Sequence, residues 1–261
     1  MGKVAGKVVI VTGASAGIGR ATAVLLAQAG ANLMVTARRE ERLNSLAAEL
    51  AEMPGTVRVL AGDIGNEAFA QMLIAKTVHA FGQLDVLINN AGVGHKSKLA
   101  DMPAEQIRRI FDTNLFGLMA ATQAAVSHMK QQGHGHIINV SSIVGQRPLP
   151  DSGVYCASKT AVNFISRTLR MELRSTPIKV TLVYPGLTDT EFADAKLGDA
   201  GRNRFGLRGV PAEKVGKAIV RGIENGRSEI YITPTDWGFT HLNRLFPRTI
   251  DWLLGKMGGL A

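Results

Sequence analysis

Six short, mostly apolar runs spaced by helix-length segments constrain this chain more than any other feature. They fall at residues 7–12, 32–36, 57–61, 85–88, 137–140 and 179–183. Their near-continuous apolar character marks strands buried on both faces. Between them, stretches at 20–29, 40–53, 67–81, 103–131 and 154–175 read as helices. A further helix at 212–224 and a last strand at 229–233 follow. Strand–helix alternation, with no internal repeat and no low-complexity tract, predicts an α/β fold: a doubly wound parallel sheet with helices on both faces. At 261 residues, 46% of them hydrophobic and 20% charged, the chain suits one domain spanning 1–261.

The first strand runs straight into Gly13-Ala14-Ser15-Ala16-Gly17-Ile18-Gly19 and then a helix. Glycines in that context permit a tight turn and let backbone N–H groups approach a pyrophosphate at the helix N-terminus. The second strand ends in Ala37-Arg38-Arg39, where a site for NAD places a carboxylate against the ribose. Guanidinium suits a 2′-phosphate instead, so the expected cofactor is NADP, with Arg38 nearest the strand tip; the alternative is that both arginines merely start a solvated helix. Asp63, after the third strand, reads as an acceptor for an adenine amine or as the cap of the next helix. Asn89-Asn90-Ala91-Gly92 closes the fourth strand with small and amide residues that keep space for a ligand.

The fifth strand leads to Ser142, and Tyr155 and Lys159 follow four residues apart. On a helix that spacing puts phenol and ammonium on one face. A fixed ammonium is expected to lower the phenol pKa and make the pair a general acid/base. The same spacing also occurs as surface decoration. Asn114 lies inside the predicted helix 103–131, a poor place for Asn, and reads as a water-binding side chain or as surface tolerance. Gly133-His134-Gly135-His136 lacks the further ligands of a metal site and reads as the loop entering the fifth strand.

These residues together resemble the short-chain dehydrogenase/reductase family from about residue 7 to 234. The resemblance rests on Thr12-Gly13-x-x-x-Gly17-x-Gly19, Asp63, Asn89-Asn90-Ala91-Gly92, Asn114, Ser142, Tyr155-x-x-x-Lys159 and Pro185-Gly186. It implies a Rossmann-like fold and hydride transfer between NADP(H) and a ketone, aldehyde or secondary alcohol, with carbonyl reductase activity the favoured direction. An NAD-linked alcohol dehydrogenase, a non-catalytic NADPH-binding protein and a membrane-surface interaction protein built around the tail are the alternatives. By that resemblance Tyr155 exchanges the proton, Ser142 binds the substrate oxygen, Lys159 holds the nicotinamide ribose and Asn114 supports a water chain. Dinucleotide contacts are implied for Gly13, Ser15, Gly17, Ile18, Gly19, Arg38, Asp63, Ile64, Asn90, Tyr155, Lys159, Pro185, Gly186 and Thr188. Residues 187–210 correspond to a substrate lid, and a homodimer or homotetramer is implied.

The net charge of +9 invites anionic partners, but aromatics are only 5% of the chain and no nucleic-acid motif is present. The single Cys156 forms no internal disulfide and reads as a packing residue. No apolar leader or membrane-spanning run is visible, so a cytoplasmic protein is expected. Arg202, Arg204 and Arg208 in the lid face water or meet an acidic group. The tail, 238–261, repeats apolar residues at helical spacing around Pro247, with Arg244, Arg248 and Lys256 among them. It reads as two amphipathic helices that cover the core, pair with a second subunit or lie at a membrane interface.

Overall fold

The computed structural model describes residues 3–192, 197 and 208–257; of the lid arginines, Arg202 and Arg204 lie outside the described residues. The side chains of Arg244, Leu253, Leu254 and Met257 in the tail also lie outside them.

Seven strands form one sheet: β1 (Val8–Thr12), β2 (Asn32–Ala37), β3 (Val57–Ala61), β4 (Val86–Asn89), β5 (Gly135–Val140), β6 (Ile178–Tyr184) and, after a short parallel pair β7 (Thr188–Asp189) and β8 (Val210–Pro211), β9 (Glu229–Tyr231). The order is β3-β2-β1-β4-β5-β6-β9, and every pairing is parallel. The winding reverses between β1 and β4, the crevice where open α/β sheets bind ligands. The helices are α1 (Gly17–Gln28), α2 (Glu40–Glu49), α3 (Glu67–Phe81), α4 (Ala104–Phe111), α5 (Gly117–Gln132), α6 (Gly153–Glu172), α7 (Ala212–Asn225), α8 (Pro234–Leu245) and α9 (Pro247–Met257).

Strand alternation sorts the core into two layers. Val9 and Val11 of β1 pack with Leu26 of α1, Leu43 of α2 and Ile219 of α7. Ile10, between them, faces the opposite layer with Leu73 of α3 and Ala125 of α5. Leu33 and Val35 against Met34 in β2 divide in the same way. This two-sided burial is why the strands read as continuous apolar runs.

Three expectations need correction. The single helix foreseen at 103–131 is interrupted by a π-helical turn, Asp112–Phe116, with Gly117 N bonded to the Asp112 carbonyl. Gly117 sits so tightly on the Ile64 carbonyl that no Cβ fits there, and the widened turn accommodates both this contact and Asn114. The last strand ends at Tyr231 rather than 233, because Thr233 caps α8 in a reciprocal box with Asp236. Helix α2 stops at Glu49 instead of 53.

Candidate active site

The glycine loop crosses the tips of β1 and β4. Gly13 and Gly17 have φ of +69° and +54°, the left-handed region that penalises a Cβ. A Cβ at Gly13 would stand 2.8 Å from Ala91 Cα, and one at Gly19 would collide with the Gly13 carbonyl. Thr190, from the segment after β7, closes over Gly17. Asn90 ties the two strand tips: its Nδ2 donates to the Thr12 carbonyl at 2.9 Å, while the Asn90 and Ala91 amides donate to Thr12 Oγ1. Helix α1 then starts with no side-chain cap and no acid in its first turn. Its first N–H groups and positive dipole end are thus left for an anion.

Arg39, rather than the expected Arg38, is the one that reaches this loop. Its Nη2 and Nε donate to Ser15 Oγ at 2.9 and 3.2 Å. Arg38 is exposed at the strand tip. Arg39 also stands 3.5 Å from Glu191, which Arg42 bonds, and the two guanidiniums hold that carboxyl below its usual range. A signal was present, since both arginines follow the strand; only the turn into α2 decides which one faces Ser15. Asp63 does not cap α3: Asn66 does, accepting from the Phe69 amide at 3.1 Å. Asp63 Oδ1 instead accepts from the Gly65 amide and keeps an exposed carboxylate. Ile64 is buried in the core layer of α3 and α5, and Ile18 packs on the opposite layer.

The second half of the site sits at the ends of β5 and β6. Ser142, buried, donates its hydroxyl to the Pro185 carbonyl at 3.2 Å and accepts from the Val144 amide. The Ile143 amide also bonds Pro185, which fixes the Pro185-Gly186 turn beside Ser142. Thr188 Oγ1 donates to the Gly186 carbonyl, and Asp236 of α8 packs so closely on Gly186 that no Cβ fits. Lys159, 4% exposed, donates Nζ to the Val140 carbonyl at 2.9 Å, and its own carbonyl accepts from Ser141 Oγ. The ammonium nitrogen lies 5.9 Å from the Tyr155 ring centroid. Tyr155, half-buried, leans on Phe192 of the lid at 5.7 Å. Asn114 is 1% exposed: its Oδ1 accepts from the Val93 amide at 2.7 Å, and its Nδ2 donates to the Val93 carbonyl and to Ser158 Oγ, both at 3.0 Å. The side chain therefore staples the loop after β4 to α6 and is not a tolerated surface residue.

The electrostatics differ from the expectation as well. Burial pushes the Tyr155 phenol above its ordinary value, Cys156 adds to this, and the Ser142 hydroxyl beside it pulls partly back. Lys159 is itself desolvated, its pKa drawn down to about 8. Spacing shows that the two groups share a helix face; it does not show that both are desolvated, which raises the phenol and lowers the ammonium. Cys156 is buried with its thiol pushed up, in keeping with a packing role. His134 bonds Asp85 Oδ1 at 3.1 Å and His136 bonds Thr181 Oγ1 at 2.7 Å, both structural contacts.

The residues fit a dinucleotide: an uncapped helix start with glycines that leave no room for side chains, a guanidinium at the β2 tip, and a buried lysine and serine with a half-buried tyrosine where the far end of such a molecule would lie. Comparisons with known proteins agree with this geometry. The family model described as short chain dehydrogenase matches residues 7–200. An uncharacterized oxidoreductase, YxnA of Bacillus subtilis (strain 168), is 33% identical over 260 residues, covering 98% of this chain and 73% of that protein. A short chain dehydrogenase/reductase from Burkholderia phymatum, solved in complex with NAD, superposes with a TM-score of 0.85 at 26% identity over 95% of this chain and 96% of that one. An alcohol dehydrogenase from the archaeon Thermococcus sibiricus, complexed with 5-hydroxy-NADP, gives 0.77 at 28% identity over 86% and 95%. With its glycine loop, its Ser–Tyr–Lys set and the match over residues 7–200, the chain belongs to the short-chain dehydrogenase family of oxidoreductases.

Proposed function

We propose that this protein is an NADP(H)-dependent oxidoreductase that interconverts a carbonyl compound and its secondary alcohol, and that it works as a ketone or aldehyde reductase. The observation that carries the reading is the convergence of Ser142, Tyr155 and Lys159 at the ends of β5 and α6, beside the Pro185-Gly186 turn. When bound, the nicotinamide dinucleotide supplies the hydride.

Ser142 and Tyr155 present hydroxyls to a carbonyl oxygen, and Tyr155 donates the proton as that oxygen gains charge. A phenol raised by burial is protonated at neutral pH, the form needed for reduction. Lys159, still mostly ammonium at neutral pH with its pKa drawn to about 8, orients the ribose and supplies positive charge near the phenolate left behind. Gly13, Ser15, Gly17 and Gly19 receive the pyrophosphate, with Asn90 holding the loop. Asp63 and Ile64 flank the adenine, and Thr188 lies against the nicotinamide amide. Arg38 and Arg39 together receive the 2′-phosphate. Tyr155 next to Phe192 gives the substrate pocket an aromatic wall under the lid.

A cytoplasmic homodimer or homotetramer is the matching assembly, supported by exposed Phe116 on the π turn and Phe164 and Met171 on α6. The tail helices meet either a second subunit or a membrane. An NAD-linked dehydrogenase is the second reading, favoured by Glu191, which already occupies Arg39 and Arg42. Oxidation of NADPH and NADH against a panel of ketones and aldehydes tests both. Turnover with NADPH well above NADH is expected; equal rates overturn the cofactor assignment, and no turnover on any carbonyl overturns the reaction.

A further inference from the structure

We propose that α8 and α9 form a docking face for an anionic lipid surface, anchored by Trp252 and Leu245 and held by Arg248 and Lys256. Eleven large apolar side chains are exposed among the described residues, and five of them fall here: Trp237, Leu242, Leu245, Phe246 and Trp252. Both tryptophans of the chain are among the five, 53% and 65% exposed. Indole exposed at that level is costly in water and well placed where an apolar layer meets a polar one.

The charges divide in the same sense. Helices α8 and α9 carry two carboxylates, and each already has a partner within the fold, although Asp251 itself is exposed. Asp236 closes the capping box with Thr233 and packs on Gly186; Asp251 pairs with buried Arg147. Arg248, Trp252 and Lys256 stand at i, i+4 and i+8 on α9, one continuous stripe, and all three are exposed. Lys256 Nζ lies 5.3 Å from the Trp252 ring, so cation and indole present themselves together. Exposed indole, leucine and phenylalanine, edged by cations that pair with no carboxylate among the described residues, complement anionic headgroups over acyl chains. A second copy of this chain would bring the same positive stripe against itself. No helix among the described residues is long and apolar enough to cross a membrane, so the contact is peripheral. Docking is independent of the proposed reaction; its consequence, a carbonyl substrate dissolved in lipid, rests on that reaction.

The full chain is floated with vesicles of phosphatidylcholine alone, or containing about 30 mol% phosphatidylglycerol, at low salt and at about 0.5 M salt. Binding to the anionic vesicles is expected, with release by salt. The double variant Arg248→Glu/Lys256→Glu, exposed at both positions, should bind about thirtyfold more weakly, and Trp252→Ser should also weaken it. Reduction of a water-soluble ketone in the double variant should stay at the wild-type level, which separates this outcome from failure of the catalytic reading. No flotation of the wild type, binding unchanged in both variants, or a dimer in sedimentation that Trp252→Ser disperses without lipid would each overturn the proposal.

Discussion

The two halves of the sheet are built from different materials. Around β1, β2, α1 and α2 the interior is almost wholly aliphatic, and the residues that face a ligand do so chiefly through backbone and glycine. Around β4, β5, β6 and α6 the interior is studded with buried polar side chains, among them Asn89, Asn139, Ser166, Asn114 and Lys159. They are wired together. Asn89 Nδ2 donates to Thr122 Oγ1 and to Asn139 Oδ1, its register partner, and Asn139 Nδ2 donates to Ser166 Oγ. In the proposed reading one half receives its ligand largely by shape, with the arginines at the β2 tip as the charged exception. The other must hold side chains in one geometry, and a hydrogen-bonded interior does that at some cost in desolvation.

The largest expected effect falls on chemistry alone. Tyr155→Phe should lower turnover by about a thousandfold while leaving dinucleotide affinity near wild type by fluorescence titration. Near-normal activity would remove the phenol from the reaction. Next, Asn139→Ala deletes the centre of the polar ladder, leaving Asn89 with Thr122 alone and Ser166 without the amide that donates to it. A stability loss of about 3 kcal/mol in urea unfolding is expected. A loss under about 0.5 kcal/mol, the usual range of a surface change, would mean the ladder contributes nothing to holding this half.

His136 sharpens the contrast by pH. Its pKa falls from 6.5 to about 4, chiefly because it is buried, with Lys179 and Lys7 adding repulsion. The unfolded chain therefore takes up the proton first. Relative to His136→Gln, the protein should keep full stability above pH 6.5 and lose up to about 3 kcal/mol as pH falls toward 4. Parallel pH profiles would contradict this. The smallest effect belongs to the glycine half: Arg39→Ala should weaken NADPH about tenfold and NADH little. An equal loss for both dinucleotides would take the guanidinium off the phosphate.

The sequence displayed the glycine half more openly than the catalytic half, for physical reasons. Strands β1 to β6 were legible to within two residues at either end because two-sided burial leaves an unbroken apolar record. Glycines announce a close approach by their own identity. The side chains proposed for catalysis stand out by type and order, but their environment does not. Asn114 finds Ser158 forty-four residues away and Val93 twenty-one away, so no local pattern shows that its side chain is engaged. The π turn that carries it follows from those distant contacts and from Gly117 against Ile64. Helical spacing suggested an acidified Tyr155, whereas the surrounding burial, contributed by several elements, sets the opposite direction. Arg38 and Arg39 are adjacent letters, and only the backbone's turn into α2 distinguishes them. The tail was legible as two helices split at Pro247, but not its hold on the rest of the molecule.

That hold has a practical consequence. Arg147 lies five residues after Ser142, and its partner is Asp251 near the far end of the chain. A tether thus runs from α9 to the loop beside Ser142. A fusion or purification handle attached downstream of α9 would tug on it, whereas the same handle placed ahead of β1 would leave it slack. Enzymologists preparing this protein should label the front.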